Sequence, residues 1–161
     1  MSRPKEMAGF TLIELMFTIV ILAILISIAA PSFTSSIRDS RIATASTELQ
    51  GALQLARSEA VMRRSNVILC RRNSAGDNCE NGTDWSTGWL IRQSGGDIIK
   101  VWQSDSNLSI SGPNTGVTFQ GNGLSTAAAN FAITQSSCTG QQKRTISVLV
   151  TGAAKLDKKD C

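Results

Sequence analysis

Histidine and tyrosine are both absent from these 161 residues, and with them go the most versatile acid–base and metal-binding side chains. Without an imidazole no serine has its usual activating base, and the lysines lie in polar stretches that keep their ammonium groups charged. Zinc is disfavoured too: Cys70 and Cys79 stand nine residues apart and Cys138 and Cys161 twenty-three, whereas structural zinc sites draw on ligands a few residues apart. Asp77, Asn81, Gly82 and Asp84 look like part of a calcium loop, but Cys79 falls where an oxygen ligand is needed and the distal glutamate is missing. No metal, cofactor or catalytic group is implied, and the chain reads as a non-enzyme.

What is present is one long apolar run. From Phe10 to Ala30 the chain is apolar apart from Thr11, Thr18, Ser27 and a single carboxylate, Glu14. About 20 apolar residues span a bilayer as a helix, and a carboxylate inside costs roughly 2.5–3.5 kcal/mol on insertion scales. An ordinary secretory signal would use Arg3 and Lys5 as its basic end and Ser27-Ile28-Ala29 as a cleavage site, but the run is long for a signal and Glu14 does not belong in one. A plain anchor explains the length and leaves Glu14 unexplained. The motif Gly9-Phe10-Thr11-Leu12-Ile13-Glu14 resembles the class III leader of type IV pilins and type II secretion pseudopilins.

That resemblance implies a leader of residues 1–9, cut after Gly9 by a prepilin peptidase on the cytoplasmic side, with N-methylation of the new terminus at Phe10. It further implies that Glu14 docks against the free amino group of a neighbouring subunit, a cation whose pKa lies near 8. Residues 10–30 then form the membrane and assembly helix. Arg3 and Lys5 hold the leader in the cytoplasm by the positive-inside rule, so the rest of the chain is a periplasmic domain on a single inner-membrane span, later incorporated into a surface fibre. Four cysteines suit that oxidising compartment. The net charge of +4 becomes +3 once the leader is removed, 14 basic against 11 acidic groups, too mild to name a partner.

Helical periodicity continues through residues 31–64. Phe33, Ile37, Ile42, Ala45, Leu49, Ala52, Leu53, Ala56, Ala60 and Val61 recur every three to five residues with charges between them. Pro31 predicts a kink or a melted stretch at the join, and Gly51 a softer point. Residues 65–161 change to short β-like runs: 67–70, 88–92, 98–102, 108–110, 117–119, 130–133 and 145–150. Turn residues separate them, with Ser111-Gly112-Pro113-Asn114 and Gly121-Asn122-Gly123 supplying positive φ. The predicted class is α+β, a long helix laid on an antiparallel sheet.

Within the pilins, Thr87-Gly88-Trp89-Leu90-Ile91, Ile98 to Trp102, Val117-Thr118-Phe119-Gln120-Gly121-Asn122-Gly123 and the last strand into Thr151-Gly152 are similar to the FimT/FimU and GspH group of minor pilins and minor pseudopilins. The resemblance implies a structural subunit working with other minor pilins, the major pilin and the inner-membrane assembly platform. The alternatives are a DNA-binding minor pilin of transformation and a secretion pseudopilin. DNA-binding relatives carry arginines after the last glycine, where this chain has Ala153-Ala154-Lys155-Leu156. Cations available for DNA are Arg63, Arg64, Arg71, Arg72, Lys143, Arg144, Lys155, Lys158 and Lys159, provided they share a face; Asp157 and Asp160 dilute the tail.

Four cysteines permit three pairings. The favoured one is Cys70 with Cys79 across a polar loop and Cys138 with Cys161 as a staple on the chain end, each closure contributing on the order of 3 kcal/mol; this pattern leans toward a FimU-like pilin. Trp85, Trp89 and Trp102 could form a ligand platform, but strand-borne tryptophans are more often packing. The sequon Asn81-Gly82-Thr83 means little behind a bacterial leader.

Overall fold

The computed structural model describes residues 10–161, with the side chains of 28–32 excepted. Helix α1 runs over Leu12–Arg63, 52 residues. Thr11 starts it: its hydroxyl accepts from the Glu14 N–H at 3.3 Å and its carbonyl from the Leu15 N–H at 3.1 Å, using an oxygen cap on donors that have no partner within the helix. The backbone is helical through Pro31, so the join is not a melted stretch. At the other end Arg64 takes φ 50°, and Ser65 and Arg64 donate backward to the carbonyls of Ala60 and Val61. This is a left-handed cap usually made by glycine.

Residues Arg38–Cys161 form one compact unit and the residues before them another. Inside the first of these the helical stripe is shorter than its sequence period. Ile42, Ala45, Leu49, Ala52, Leu53, Ala56 and Ala60 are buried, while Val61 there, and Phe33 and Ile37 in the other unit, are exposed. Packing needs something opposite, and the buried members of the stripe are those in the core shared with the strands.

Eight strands follow: β1 Val67–Arg71, β2 Trp89–Gln93, β3 Ile98–Trp102, β4 Leu108–Ser111, β5 Val117–Phe119, β6 Ala129–Gln135, β7 Lys143–Val148 and β8 Ala154–Lys159. They make two antiparallel four-stranded sheets, ordered β3-β2-β1-β5 and β4-β6-β7-β8, rather than the one sheet expected. The eighth strand was hidden in what reads as a charged tail. In Ala154-Lys155-Leu156-Asp157-Lys158-Lys159 only two apolar residues, Ala154 and Leu156, mark the alternation, and both pack partly buried against the core. β8 pairs with β7 from Val148↔Ala154 to Lys143↔Lys159.

One core joins α1 to both sheets: Leu49, Leu53, Leu69, Ile91, Phe119, Phe131 and Ile146 are all nearly inaccessible. Trp85 and Trp89 belong to it as well, Trp85 meeting Phe131 edge to face at 5.0 Å, so two of the three tryptophans cannot serve a ligand platform. Trp102 is half-buried beneath Lys100, whose ammonium lies 4.7 Å from the ring centre. Gly112 and Gly121 do not supply the positive φ expected of them. A side chain at Gly112 would meet Phe131 and Trp85, and one at Gly121 the backbone of Arg64 at 2.7 Å. Close approach, not left-handed backbone, fixes them. The cysteines are joined Cys70 to Cys79 and Cys138 to Cys161.

Candidate functional site

Two surfaces merit description: the apolar first half of α1 and the charged exterior of the domain. Gly9, the expected cleavage position, lies outside the described residues. Phe10 is the first one described and is exposed, as are Leu12, Ile13, Leu15, Met16, Phe17 and every large apolar side chain to Ile26. An all-round apolar helix has to be covered by something outside its own chain. Among the described residues no helix is long and apolar enough to cross a membrane. Glu14 stands in the first turn, where the helix dipole favours a carboxylate.

The expected DNA cations do not share a face. Arg144 is 3% exposed; its guanidinium binds the Asp39 carboxylate at 2.5 Å and the Gln141 carbonyl at 2.9 Å, fastening β7 to the helix. Burial forced that pairing, since an unpaired internal guanidinium is costly. Arg71 is spent on Glu80 at 3.3 Å and the Asn81 carbonyl at 3.2 Å, just past the loop of the first disulfide, and Arg72 on the carbonyls of Asn73 and Ser74 within it. Lys143 lies opposite Lys159, and Ser147 opposite Lys155, on the outer face of the second sheet; Lys158 lies opposite buried Arg144 and belongs to the other side. Lys155 is further matched to Asp157 at 2.9 Å. Arg63 is bound to Glu59 at 2.7 Å, and Arg64 is exposed far from the tail in sequence, at the end of α1. What remains is a pair of lysines, Lys143 and Lys159, rather than a groove.

The residues resembling a calcium loop are also committed elsewhere. Asp84 is hydrogen-bonded by Ser86 through side chain and backbone, which holds its carboxyl below the usual range, and Asn81 gives its carbonyl to Arg71. One residue without a sequence signal proved central. Arg57 donates its Nε to the Gly123 carbonyl at 2.9 Å and its Nη2 to the Thr151 carbonyl at 3.1 Å. It thereby clasps the turns after β5 and β7 to the helix. Gly152 sits between them at φ 79°, where an added methyl would strike the Gly123 carbonyl and lie 2.8 Å from Arg57 Nε. An exposed-looking arginine on a helical period carries no hint of two carbonyls brought 66 and 94 residues along the chain.

Comparison with known proteins agrees with this layout. The sequence profile of the family described as Type II transport protein GspH matches residues 45–152, and that of the Prokaryotic N-terminal methylation motif matches residues 5–30. No curated protein matches the chain. Among solved structures, the type IV minor pilin FimU of Pseudomonas aeruginosa (strain PAO1) is similar in two crystal forms. One is 25% identical with a TM-score of 0.55, covering 71% of this chain and 90% of that one. The other is 23% identical with a TM-score of 0.58, covering 73% and 89%. The minor pseudopilin EpsH from the type 2 secretion system of Vibrio cholerae is similar at 12% identity and a TM-score of 0.50, covering 73% and 97%. At those lower identities the likeness is one of fold: a long helix packed on antiparallel sheets. With its profile matched over more than half of the sequence, the chain belongs to the GspH family of minor type IV pilins and pseudopilins.

Proposed function

We propose that this chain is a minor type IV pilin that joins other minor pilins in a priming or tip complex and so starts assembly of a pilus. The observation that carries the reading is the exposed, predominantly apolar stretch of α1 from Leu12 to Ile26 bearing one carboxylate at Glu14, inside the matched methylation motif. Such a helix is held by lipid until other helices of its kind replace the lipid, and Glu14 selects the register at which a neighbour's amino group meets it. In this reading the prepilin peptidase cuts after Gly9, Phe10 is methylated, and the domain from Arg38 onward lies in the periplasm before entering the fibre.

A secretion pseudopilin shares all of this assembly physics. The pilus reading is preferred because identity and TM-score are both higher to the minor pilin than to the minor pseudopilin. Deleting the chain in the cell that makes it separates the two. Loss of surface pili with normal protein secretion is expected; normal piliation with failed secretion would reverse the preference. DNA binding ranks below both, because Arg144 is buried on Asp39 and Arg71 and Arg72 already hold partners nearby.

A further inference from the structure

From Arg38 onward, seven large apolar residues are exposed: Val61, Met62, Ile98, Val101, Leu124, Leu149 and Val150. Five of them converge on one corner, where the end of α1 meets the turns after β5 and β7. Contacts on the backbone show the convergence: Gly123 approaches Val61 and Gly152 approaches Gly123, while Ser125 donates to the Val150 carbonyl at 2.9 Å. The five are 45–68% exposed, against 37% and 38% for Ile98 and Val101 on β3. A groove of about 630 Å³ runs beside Val61 and Met62. An apolar cluster of this kind on a small domain marks a contact surface.

Its charge says what kind. Arg57 gives its hydrogen bonds to two neutral carbonyls, and Arg64 projects from the left-handed cap. Among the described residues no carboxylate is paired with either, while Arg63 beside them is matched by Glu59. An apolar partner alone would strip water from two uncompensated cations. A partner with a carboxylate among its apolar side chains would gain from them instead. We propose, resting on the pilin reading above, that this corner docks a different pilin-like subunit through an apolar face bearing at least one acidic residue. A second copy of this chain is the other occupant the corner could take, and the test below separates it from a different subunit. The corner also answers a need for an anchor that is not flexible: Arg57 is fixed by two bonds before any partner arrives, so little ordering is left to be done on docking.

The test places a photo-cross-linking phenylalanine at Met62 or Leu149, with Lys100 as the comparison position, in the full chain within the cells that make it. Adducts are identified by mass spectrometry. The expected result is capture, from Met62 and Leu149, of another chain with the Gly-Phe leader and downstream Glu, at a peptide with Asp or Glu beside apolar residues. Arg64→Glu should lower the yield roughly tenfold, and Arg64→Lys should restore it. Capture of that same subunit from Lys100 alone, with pili still made, overturns this surface and leaves the pilin reading standing. Capture of a second copy from the corner, or a yield indifferent to Arg64→Glu, overturns it as well. If no such subunit is captured from any position and the chain is absent from pili, the pilin reading falls with it.

Discussion

Glu14 stands at the third position of α1 with Thr11 as its cap, so part of its presence has a purely local account. A carboxylate in a first helical turn gains about 0.3–1 kcal/mol from the dipole, less than the roughly 2.5–3.5 kcal/mol that a charge costs within lipid. The remainder calls for a cation at the same depth, the role proposed above for a neighbour's amino terminus. Glu14→Ala should therefore be processed and inserted at least as well as wild type, yet be recovered in sheared pili at about a tenth of the wild-type level, one decade per 1.4 kcal/mol of lost pairing. Equal recovery would remove the pairing. At the far end of the helix, Arg64 holds a backbone conformation that glycine adopts more cheaply. Arg64→Gly should raise stability by about 1 kcal/mol, seen as a melting shift of a few degrees for the full chain in detergent; an unchanged or lower melting point would mean the arginine side chain earns its place in the isolated subunit.

At the scale of elements, α1 and most strands were legible because each repeats a period over enough residues. Ile98–Trp102 and Val117–Phe119 coincide with their expected bounds, and the others differ by a few residues. The failures have physical causes. β8 presents only two apolar side chains, so a strand that completes a sheet looks like solvated charge. The split into two sheets is set by long-range pairing, β1 with β5 and β4 with β6, and no local pattern records it. Phe33 and Ile37 continue the helical period yet are exposed, which the period itself cannot reveal. Tying β8 down falls partly to Cys161, joined to Cys138 and donating its backbone N–H to the Gly140 carbonyl at 3.0 Å. Cys161→Ser should cost about 3 kcal/mol and speed amide exchange in β8 more than in α1. Unchanged exchange in β8 would show that its ladder with β7 suffices.

For the whole molecule, the candidate site was legible at its apolar end and illegible on the domain. Glu14 stands out because it is charged in apolar company. Arg57, Arg64 and the corner they flank do not, because exposure and unpaired charge exist only once the chain has folded. The same folding removed the basis for a DNA groove, since Arg144 went to Asp39 and Lys158 to the opposite face. DNA binding by the full chain in detergent should thus be weak and lost near physiological salt, and Lys143→Ala with Lys159→Ala should change it little. Tight binding with a steep salt dependence that flattens in that double variant would put phosphate contacts on this sheet after all.

The apolar helix has a job only if it survives processing, is exposed by a cut beside Glu14, and enters a fibre. Mass spectrometry of pili sheared from the native cells reads all three at once. The expected signal is a mature chain that begins with N-methylated Phe10, present in wild-type pili and lost in Gly9→Val, whose leader stays attached in the inner membrane. A mature chain beginning at Ala30, which has lost Glu14 and the helix with it, would contradict the assignment.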